Sequence, residues 1–238
     1  METPVPLPRS VYSEKLRGFS DLAFSDQAAF QFRGRWGDFF RQRMGSGFNG
    51  RVVLEVGCFD VGFLSKIAMK HPTTAFVGLD WKCKAIYDGA QRVAALNLKN
   101  IALLRARGSD LLKIFGEVEV NEIWVFHPEV SKGKEVRLIG EPFLLDAHRI
   151  LRDSSSLLSF KTDHPDYYQW MLGFFDNANP SASIRGRFNL MMKSSNFWED
   201  PAALAHAAPR DFAGEVTFYE NRFIKKRRPI HYIEMRKK

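Results

Sequence analysis

From residue 51 onward, short apolar runs alternate with longer amphipathic segments, and this alternation restricts the fold more than any other feature. Arg51–Val56 is a continuous apolar run typical of a buried strand, whereas Lys84–Asn97 carries its apolar residues on one helical face. Further strands are predicted at Ala75–Asp80, Ile101–Ala106, Asn121–His127 and Leu157–Thr162, and further helices at Gly62–His71, Glu141–Leu151 and Asp166–Phe175. Alternation of this length predicts right-handed crossovers and a doubly wound, mostly parallel α/β sheet.

Both ends of the chain depart from this alternation. Residues 1–50 are predicted to form an N-terminal extension, and residues 51–238 the α/β domain. Near the C-terminus, Glu215–Tyr219 and Ile230–Met235 have the pattern of consecutive strands, which predicts an antiparallel hairpin. The segment 177–210 is rich in Asn, Ser, Pro and Ala, and we interpret it as a mobile insertion on the substrate side.

The charge of the chain bears on its partners. The net charge is +8 over 238 residues, and Lys and Arg cluster near 33–51 and 222–238. Such clusters favour phosphate-rich partners through counterion release, although a solvated basic surface has the same pattern. No apolar run approaches the ~20 residues of a membrane helix, and the first eight residues lack the apolar core of a signal peptide. We therefore expect a cytoplasmic protein without a membrane segment, and the six histidines show no metal-ligand spacing.

Polar residues follow the predicted strands at their C-terminal ends, where open α/β sheets place their ligands. Glu55 and Gly57 end the first strand, and Asp80 ends the second, where an acidic residue suits the hydroxyls of a ribose. Glu129 follows the Asn121 strand, and Asp163 ends the Leu157 strand. Asp80 and Asp163 could also serve as N-caps of the helices that follow them.

Three segments, taken in order, carry a resemblance to a known family. They are Leu54-Glu55-Val56-Gly57-Cys58, Lys161-Thr162-Asp163 and Thr217-Phe218-Tyr219-Glu220. In this order they resemble the bacterial tRNA (guanine-N7) methyltransferase family, over about Arg51 to Arg236. The resemblance implies a class I methyltransferase (Rossmann-like) fold, S-adenosylmethionine as the methyl donor, and tRNA as the partner of the two basic clusters.

The resemblance also implies which residues bind the cofactor. They are Glu55, Gly57, Cys58, Phe59, Asp80, Trp81 and Arg107. The family's loop reads Glu-x-Gly-x-Gly-x-Gly, and Phe59 and Val61 stand here at the second and third glycines. A β-branched residue adopts positive φ with difficulty, so a shifted loop, or weakened or lost cofactor binding, is expected. Arg107 lies where the family has an Asp or Asn for the adenine amino group, and an Arg cannot accept that hydrogen bond.

On the substrate side, the resemblance implies Glu129 and Asp163 as catalytic residues. Pro128-Glu129 aligns with the Pro-Asp of the family's Asn-Phe-Pro-Asp-Pro-Trp motif. Guanine N7 already carries a lone pair, and methyl transfer leaves positive charge on the ring, so a carboxylate can orient the base and stabilise that charge. Substrate contacts are implied for Lys132, Lys134, Lys161, Asp163, Thr217 and Glu220.

Three functional hypotheses are compatible with these residues. The first is S-adenosylmethionine-dependent N7-methylation of guanine in tRNA. The second is a methyltransferase of the same fold that acts on a small heteroaromatic molecule or another RNA, which the few basic residues after Glu129 favour. The third is a non-catalytic RNA-binding relative with a degenerate cofactor loop, which Phe59, Val61 and Arg107 favour.

Overall fold

The computed structural model describes residue 8 and residues 10–130, 137–175, 184 and 186–238. The strands are β1 Ala23–Ser25, β2 Val52–Val56, β3 Ala75–Asp80, β4 Ile101–Arg105, β5 Glu122–Phe126, β6 Leu157–Thr162, β7 Phe188–Ser194 and β8 His231–Lys237. The helices are α1 Val11–Lys15, α2 Trp36–Met44, α3 Gly62–Lys70, α4 Cys83–Ala95, α5 Leu111–Ile114, α6 Glu141–Ile150, α7 Pro165–Gly173, α8 Pro201–Ala207 and α9 Phe218–Lys225. Short 3₁₀ turns occur at Leu16–Phe19, Asp26–Phe30, Gly45–Gly47, Gly108–Asp110, Phe197–Glu199 and Ala208–Arg210.

The described strands form a single sheet in the order β1-β4-β3-β2-β5-β6-β8-β7. The pairs from β1 to β6 are parallel, and β8 runs antiparallel to both of its neighbours, β6 and β7. The chain moves outward from β2 to β3 and β4, and then returns to β5 on the other side of β2. This reversal creates a switch point at the C-terminal ends of β2 and β5, where sheets of this kind leave a crevice for a ligand.

Helices cover both faces of the sheet, and each face has its own apolar core. One core includes Trp36, Phe40 and Phe143, and the other includes Leu64 and Ile86. Strands β2 and β5 are buried along their whole length, as the central strands of a doubly covered sheet must be. Their continuous apolar sequences therefore follow directly from their place in the fold.

Part of the N-terminal segment belongs to this core. Strand β1 pairs with β4 at the edge of the sheet, and Trp36 of α2 is fully buried. The buried carboxylate of Glu119 accepts backbone N–H groups from Gly34 at 2.9 Å, Trp36 at 2.7 Å and Gly116 at 2.6 Å. A single buried acid thus fixes the start of α2 to the main domain, since its charge is stabilised by three donors.

The doubly wound, mostly parallel sheet with an antiparallel C-terminal strand is confirmed, but one predicted strand is wrong. The predicted strand Glu215–Tyr219 is absent, because residues 215–217 are irregular and Phe218 and Tyr219 begin helix α9. The edge strand that runs antiparallel to β8 is β7 instead. The helix begins with a capping box, in which Thr217 Oγ1 accepts the Glu220 N–H and the Glu220 carboxylate accepts the Thr217 N–H. These reciprocal bonds stabilise a helical start and outweigh the apparent strand pattern.

The segment 177–210 falls partly outside the described residues. Its described residues contribute β7, which pairs with β8 from Phe188 to Ser194, and α8, which Asp200 caps through the N–H groups of Ala202 and Ala203. No helix in the described ranges combines the length and the apolar character needed to cross a bilayer.

Candidate active site

The loop after β2 keeps the backbone of a glycine-rich turn although two of its glycine positions carry side chains. The φ angles are 85° at Gly57, 50° at Phe59 and 51° at Val61, all in the left-handed region. The N–H groups of Gly57 and Cys58 both donate to the Leu79 carbonyl, which holds the loop against β3. The loop therefore keeps positive φ at Phe59 and Val61. The resulting backbone strain costs about 1–2 kcal/mol for each of the two residues.

Asp80 connects this loop to the end of β3. Its Oδ2 accepts the Phe59 N–H at 3.1 Å, and its Oδ1 accepts the Lys82 N–H at 2.8 Å. Burial raises the pKa of Asp80, and these two N–H donors oppose that rise. A carboxylate has about four acceptor positions, so Asp80 keeps the capacity to accept hydrogen bonds from a ligand hydroxyl.

A cleft lies at the switch point, and we call it the central cleft. Its volume is about 730 Å³ including the space open to solvent. It is lined by Val56, Gly57, Phe59, Leu79, Asp80, Trp81, Lys82, Ala106, Gly108, Phe126, His127, Pro128, Glu129, Leu138 and Tyr219. The Trp81 side chain is about half exposed, which makes its ring available for stacking against a planar group.

A smaller cavity adjoins the central cleft beneath Phe59, and we call it the Glu55 pocket. It is lined by Glu55, Gly57, Cys58, Phe59, Asp60, Gly62, Phe63, Phe126, Thr217, Phe218 and Tyr219. Glu55 is buried, and its Oε2 has no hydrogen-bond partner. Burial, followed by the nearby charges of Asp80, Glu220 and Asp60, raises the pKa of Glu55 to about 8. The pocket therefore suits a cationic group, which would give this acid a partner.

A third cavity lies on the other side of Tyr219, and we call it the side cleft. It is lined by His127, Pro128, Glu129, Val130, Asp163, His164, Tyr219 and Phe223, and has a volume of about 680 Å³ including open solvent. Its wall formed by residues 127–129 and Tyr219 also lines the central cleft. Two ligands bound in the two clefts would thus meet at this wall.

The two predicted catalytic carboxylates differ in how they are held. The side chain of Asp163 is only 4% exposed, and its Oδ2 accepts a hydrogen bond from Arg228 Nη1 at 2.9 Å. The side chain of Glu129 is 68% exposed and forms an ion pair with Lys82 across the central cleft. Asp163 is therefore fixed in an ionic contact, whereas Glu129 is free to exchange its partner.

Lys161 and Glu220 form a fully buried ion pair beneath the side cleft. Lys161 Nζ lies 2.9 Å from Glu220 Oε1, and the two side chains have no exposed surface. Burial alone would raise the pKa of Glu220, but Lys161 and the nearby His127 together lower it. The ammonium group also lies 3.9 Å from the centre of the Phe197 ring. The pair connects β6 to α9, and neither side chain lines the central cleft, the Glu55 pocket or the side cleft.

His127 was not among the predicted site residues, yet it stands between the two clefts. Its side chain is 3% exposed, and neither ring nitrogen has a hydrogen-bond partner. Nε2 lies 4.0 Å from Glu220 Oε1, which is too far for a hydrogen bond, and the ring packs 5.3 Å from that of Phe223. Its position directly before Pro128-Glu129 was the sequence signal that could have identified it.

Tyr219 and Phe223 were missed for a different reason. Both line the side cleft from α9, and their rings are nearly parallel at 24°. The spacing of four residues places them on one helical face, whereas the predicted strand ended at Tyr219 and left Phe223 in the connection after it. The wrong secondary structure for this segment therefore hid the two aromatic residues.

The remaining predicted residues are distributed as follows. Cys58 and Thr217 line the Glu55 pocket, where Thr217 also caps α9. In the described part of the chain Arg107 does not line the central cleft, although its neighbours Ala106 and Gly108 do. Lys132 and Lys134 lie outside the described residues.

The two basic clusters lie at different places relative to the clefts. In the cluster 33–51, Arg51 precedes β2 and pairs with Glu122. This pair lies at the N-terminal ends of β2 and β5, opposite the clefts. In the cluster 222–238, Arg228 contacts Asp163 beside the side cleft, whereas Arg236 pairs in register with Leu157 at the opposite edge. Only the part around 222–228 borders the candidate site directly.

The strand order, the cleft at the switch point and the glycine-type loop define the class I methyltransferase fold. A solved structure of an antibiotic-related methyltransferase has this fold, with a TM-score of 0.60 over 87% of this chain and 96% of that one, at 14% identity. The match extends to the family model Methyltransf_4, described as "Putative methyltransferase", which covers residues 49–232. The chain belongs to this family.

Two curated relatives agree with this assignment. The tRNA (guanine-N(7)-)-methyltransferase of Christiangramia forsetii is 24% identical over 87% of this chain and 85% of its own length. A bifunctional glycosyltransferase/methyltransferase of Fusobacterium nucleatum is 27% identical over 68% of this chain, and the match spans 25% of that longer protein. The chain is therefore similar to one relative over nearly its full length and to one part of the other.

Proposed function

We propose that this protein transfers a methyl group from S-adenosylmethionine to N7 of guanine in tRNA. The observation that carries the proposal is the shared wall of His127, Pro128, Glu129 and Tyr219, which separates the central cleft at the switch point from the side cleft, where Asp163 lies. The tRNA (guanine-N7) methyltransferases at about a quarter identity over most of the chain support the choice of substrate.

The residues around the central cleft fit the methyl donor. Asp80 would accept hydrogen bonds from the ribose, Trp81 would stack on the adenine, and Glu55 would receive the amino group of the methionine part. The buried, unpartnered Oε2 of Glu55 supports this fit because a cation would supply its missing partner. The bound donor supplies a sulfonium methyl group, which needs no base to become electrophilic.

On the other side of the wall, the protein has to orient the guanine. N7 carries its own lone pair, so the residues of the side cleft need only align the base and stabilise the positive charge that develops on the ring. Asp163 would do this, because it lines the cleft and its carboxylate accepts a hydrogen bond from Arg228. Glu129 would contribute once it leaves Lys82. The exposed basic residues at 222–228 would contact tRNA phosphates next to the cleft.

The test is methyl transfer from S-adenosylmethionine to unmodified tRNA, followed by nucleoside analysis for 7-methylguanosine. Asp163→Asn keeps the shape of the side chain but removes its charge, and we expect kcat/KM to fall by about tenfold to a hundredfold. Glu129→Gln should lower it by a smaller factor. Glu117→Gln is the matched control, because Glu117 is an exposed acid paired with Arg149 away from the clefts, and activity should not change.

The alternatives give separate outcomes in the same assay. Formation of 7-methylguanosine that is unaffected by both site substitutions would contradict the assigned site. Turnover of a small heteroaromatic acceptor without turnover of tRNA would select the second hypothesis. RNA binding without any binding of S-adenosylmethionine would select the non-catalytic one.

A further inference from the structure

Phe59 keeps an aromatic side chain at a backbone position that favours glycine. Its φ angle of 50° lies in the left-handed region, where a side chain is strained. The ring does not point away from the site, because it lines both the central cleft and the Glu55 pocket. Strain of this kind persists where the surrounding structure fixes a residue, and it is concentrated at ligand sites.

The Phe59 ring belongs to an aromatic group with two residues of α9. Its centroid lies 5.7 Å from that of Tyr219 and 5.3 Å from that of Phe218. Tyr219 lines all three cavities, whereas Phe218 lines only the Glu55 pocket and is 53% exposed. Tyr219 thus lies where the three cavities meet, and Phe59, like Phe126, lies between the central cleft and the Glu55 pocket.

The acidic residues around this junction favour a cation, since a bound cation would stabilise the ionised form of Glu55. Glu55 and Asp60 line the Glu55 pocket, and Asp80 lines the central cleft. Among the described lining residues of these two cavities, Lys82 is the cationic side chain, and it is already paired with Glu129. Aromatic faces carry partial negative charge and attract cations within about 6 Å of the ring centre. Rings and carboxylates therefore act in the same direction.

We propose that Phe59 and Tyr219 form the surface that recognises the sulfonium of S-adenosylmethionine and favours this charged donor over its neutral product. The inference rests on the proposed function and adds the residues that discriminate the two forms of the cofactor. Methyl transfer breaks the sulfur–methyl bond, the electron pair remains on sulfur, and the product is an uncharged thioether. The aromatic contact is then weakened, which assists product release.

The test is calorimetric titration of the purified full chain with S-adenosylmethionine and with S-adenosylhomocysteine. The measured quantity is the ratio of the two Kd values, compared between variants. Phe59→Leu keeps the backbone strain and most of the volume but removes the aromatic face, and we expect the preference for the charged form to fall at least threefold. Tyr219→Leu should act in the same direction. Sinefungin, whose amine replaces the sulfonium, should follow S-adenosylmethionine.

The control variants separate this effect from packing. Phe59→Tyr retains the aromatic face and should retain the ratio. Phe218→Leu removes a ring that contacts Phe59 but does not line the central cleft, so the ratio should also be retained. Thermal unfolding of each variant shows that it is folded. An unchanged ratio in folded Phe59→Leu and Tyr219→Leu overturns the inference alone, whereas failure of the wild-type protein to bind either molecule overturns the proposed function with it.

Discussion

The central cleft and the side cleft, proposed here as the donor side and the acceptor side of the site, are built by different means. Around the central cleft, backbone groups hold the polar atoms: Asp80 is bonded to two N–H groups, and the loop from Gly57 to Val61 is held by β3. Around the side cleft, charged side chains hold one another, as Arg228 holds Asp163 and Lys161 holds Glu220. The first arrangement depends on backbone conformation and the second on the identity of the side chains.

This difference explains which sequence changes each side accepts. A backbone framework tolerates new side chains if the φ angles can be kept, and Phe59 and Val61 take the positive φ of the glycines that they replace. A buried ion pair does not tolerate the loss of either partner, because the other charge is left without compensation. Substitutions that keep the φ angles are therefore tolerated around the central cleft, whereas Lys161 and Glu220 can be replaced only together.

The largest effect is expected from breaking the buried pair on the acceptor side. Lys161→Met leaves the Glu220 carboxylate buried without its ammonium partner, and we expect the free energy of unfolding to fall by about 3–5 kcal/mol. The double variant Lys161→Met/Glu220→Gln should recover most of the loss, since Gln can still serve at this position of the capping box. Urea denaturation measures both. A loss below about 1 kcal/mol in the single variant would show that the acceptor side does not depend on this pair.

A smaller, pH-dependent effect is expected on the donor side. The pKa of Glu55 is about 8 in the folded protein and about 4.5 in the unfolded chain, so between these values the folded state retains a proton that the unfolded state has lost. Stability should therefore decrease as the pH rises through this window, by about 1.4 kcal/mol per unit. Glu55→Gln does not titrate, and its stability relative to the wild type should increase by about 3 kcal/mol between pH 5.5 and pH 8.

Unfolding in urea across this pH range measures the Glu55 effect. Glu117→Gln serves as the control, because the pKa of Glu117 is lowered by Arg149 and this acid stays ionised throughout the window. A parallel pH profile for the wild type and Glu55→Gln would show that Glu55 is ionised when the cavity is empty, and that the donor side resembles the acceptor side in carrying fixed charges.

The sequence predicts the donor side of the site better than the acceptor side. The strands that end at Glu55 and Asp80 are continuous apolar runs between helices, so their order fixes where the polar residues meet. The sequence did not reveal that Phe59 and Val61 keep positive φ, because this depends on contacts with β3 and α9 that are distant along the chain.

The acceptor side is less predictable because a strand is predicted at Glu215–Tyr219, where helix α9 begins. Residues 215–219 have a strand-like pattern, and the capping box formed by Thr217 and Glu220 was the opposing signal. These two residues are three positions apart at the start of the helix, so the side chain of each accepts the backbone N–H of the other. The Glu220 carboxylate also contacts Lys161. The burial of Lys161 could not be predicted, because a lysine at a strand end is exposed in most proteins unless a distant partner is provided.

The smallest effect is expected at His127, where the two sides meet. Both ring nitrogens are buried without a partner, which costs stability that a phenyl ring would not. We expect His127→Phe to leave the free energy of unfolding unchanged or to raise it by about 1 kcal/mol, and at the same time to lower the rate of methyl transfer to tRNA. Urea denaturation and the 7-methylguanosine assay are run on the same preparation. A loss of stability above about 1 kcal/mol would mean that the imidazole is a structural part of the acceptor side and is held by Glu220 in solution. A gain in stability together with a loss of turnover would show that the unpaired imidazole serves the substrate.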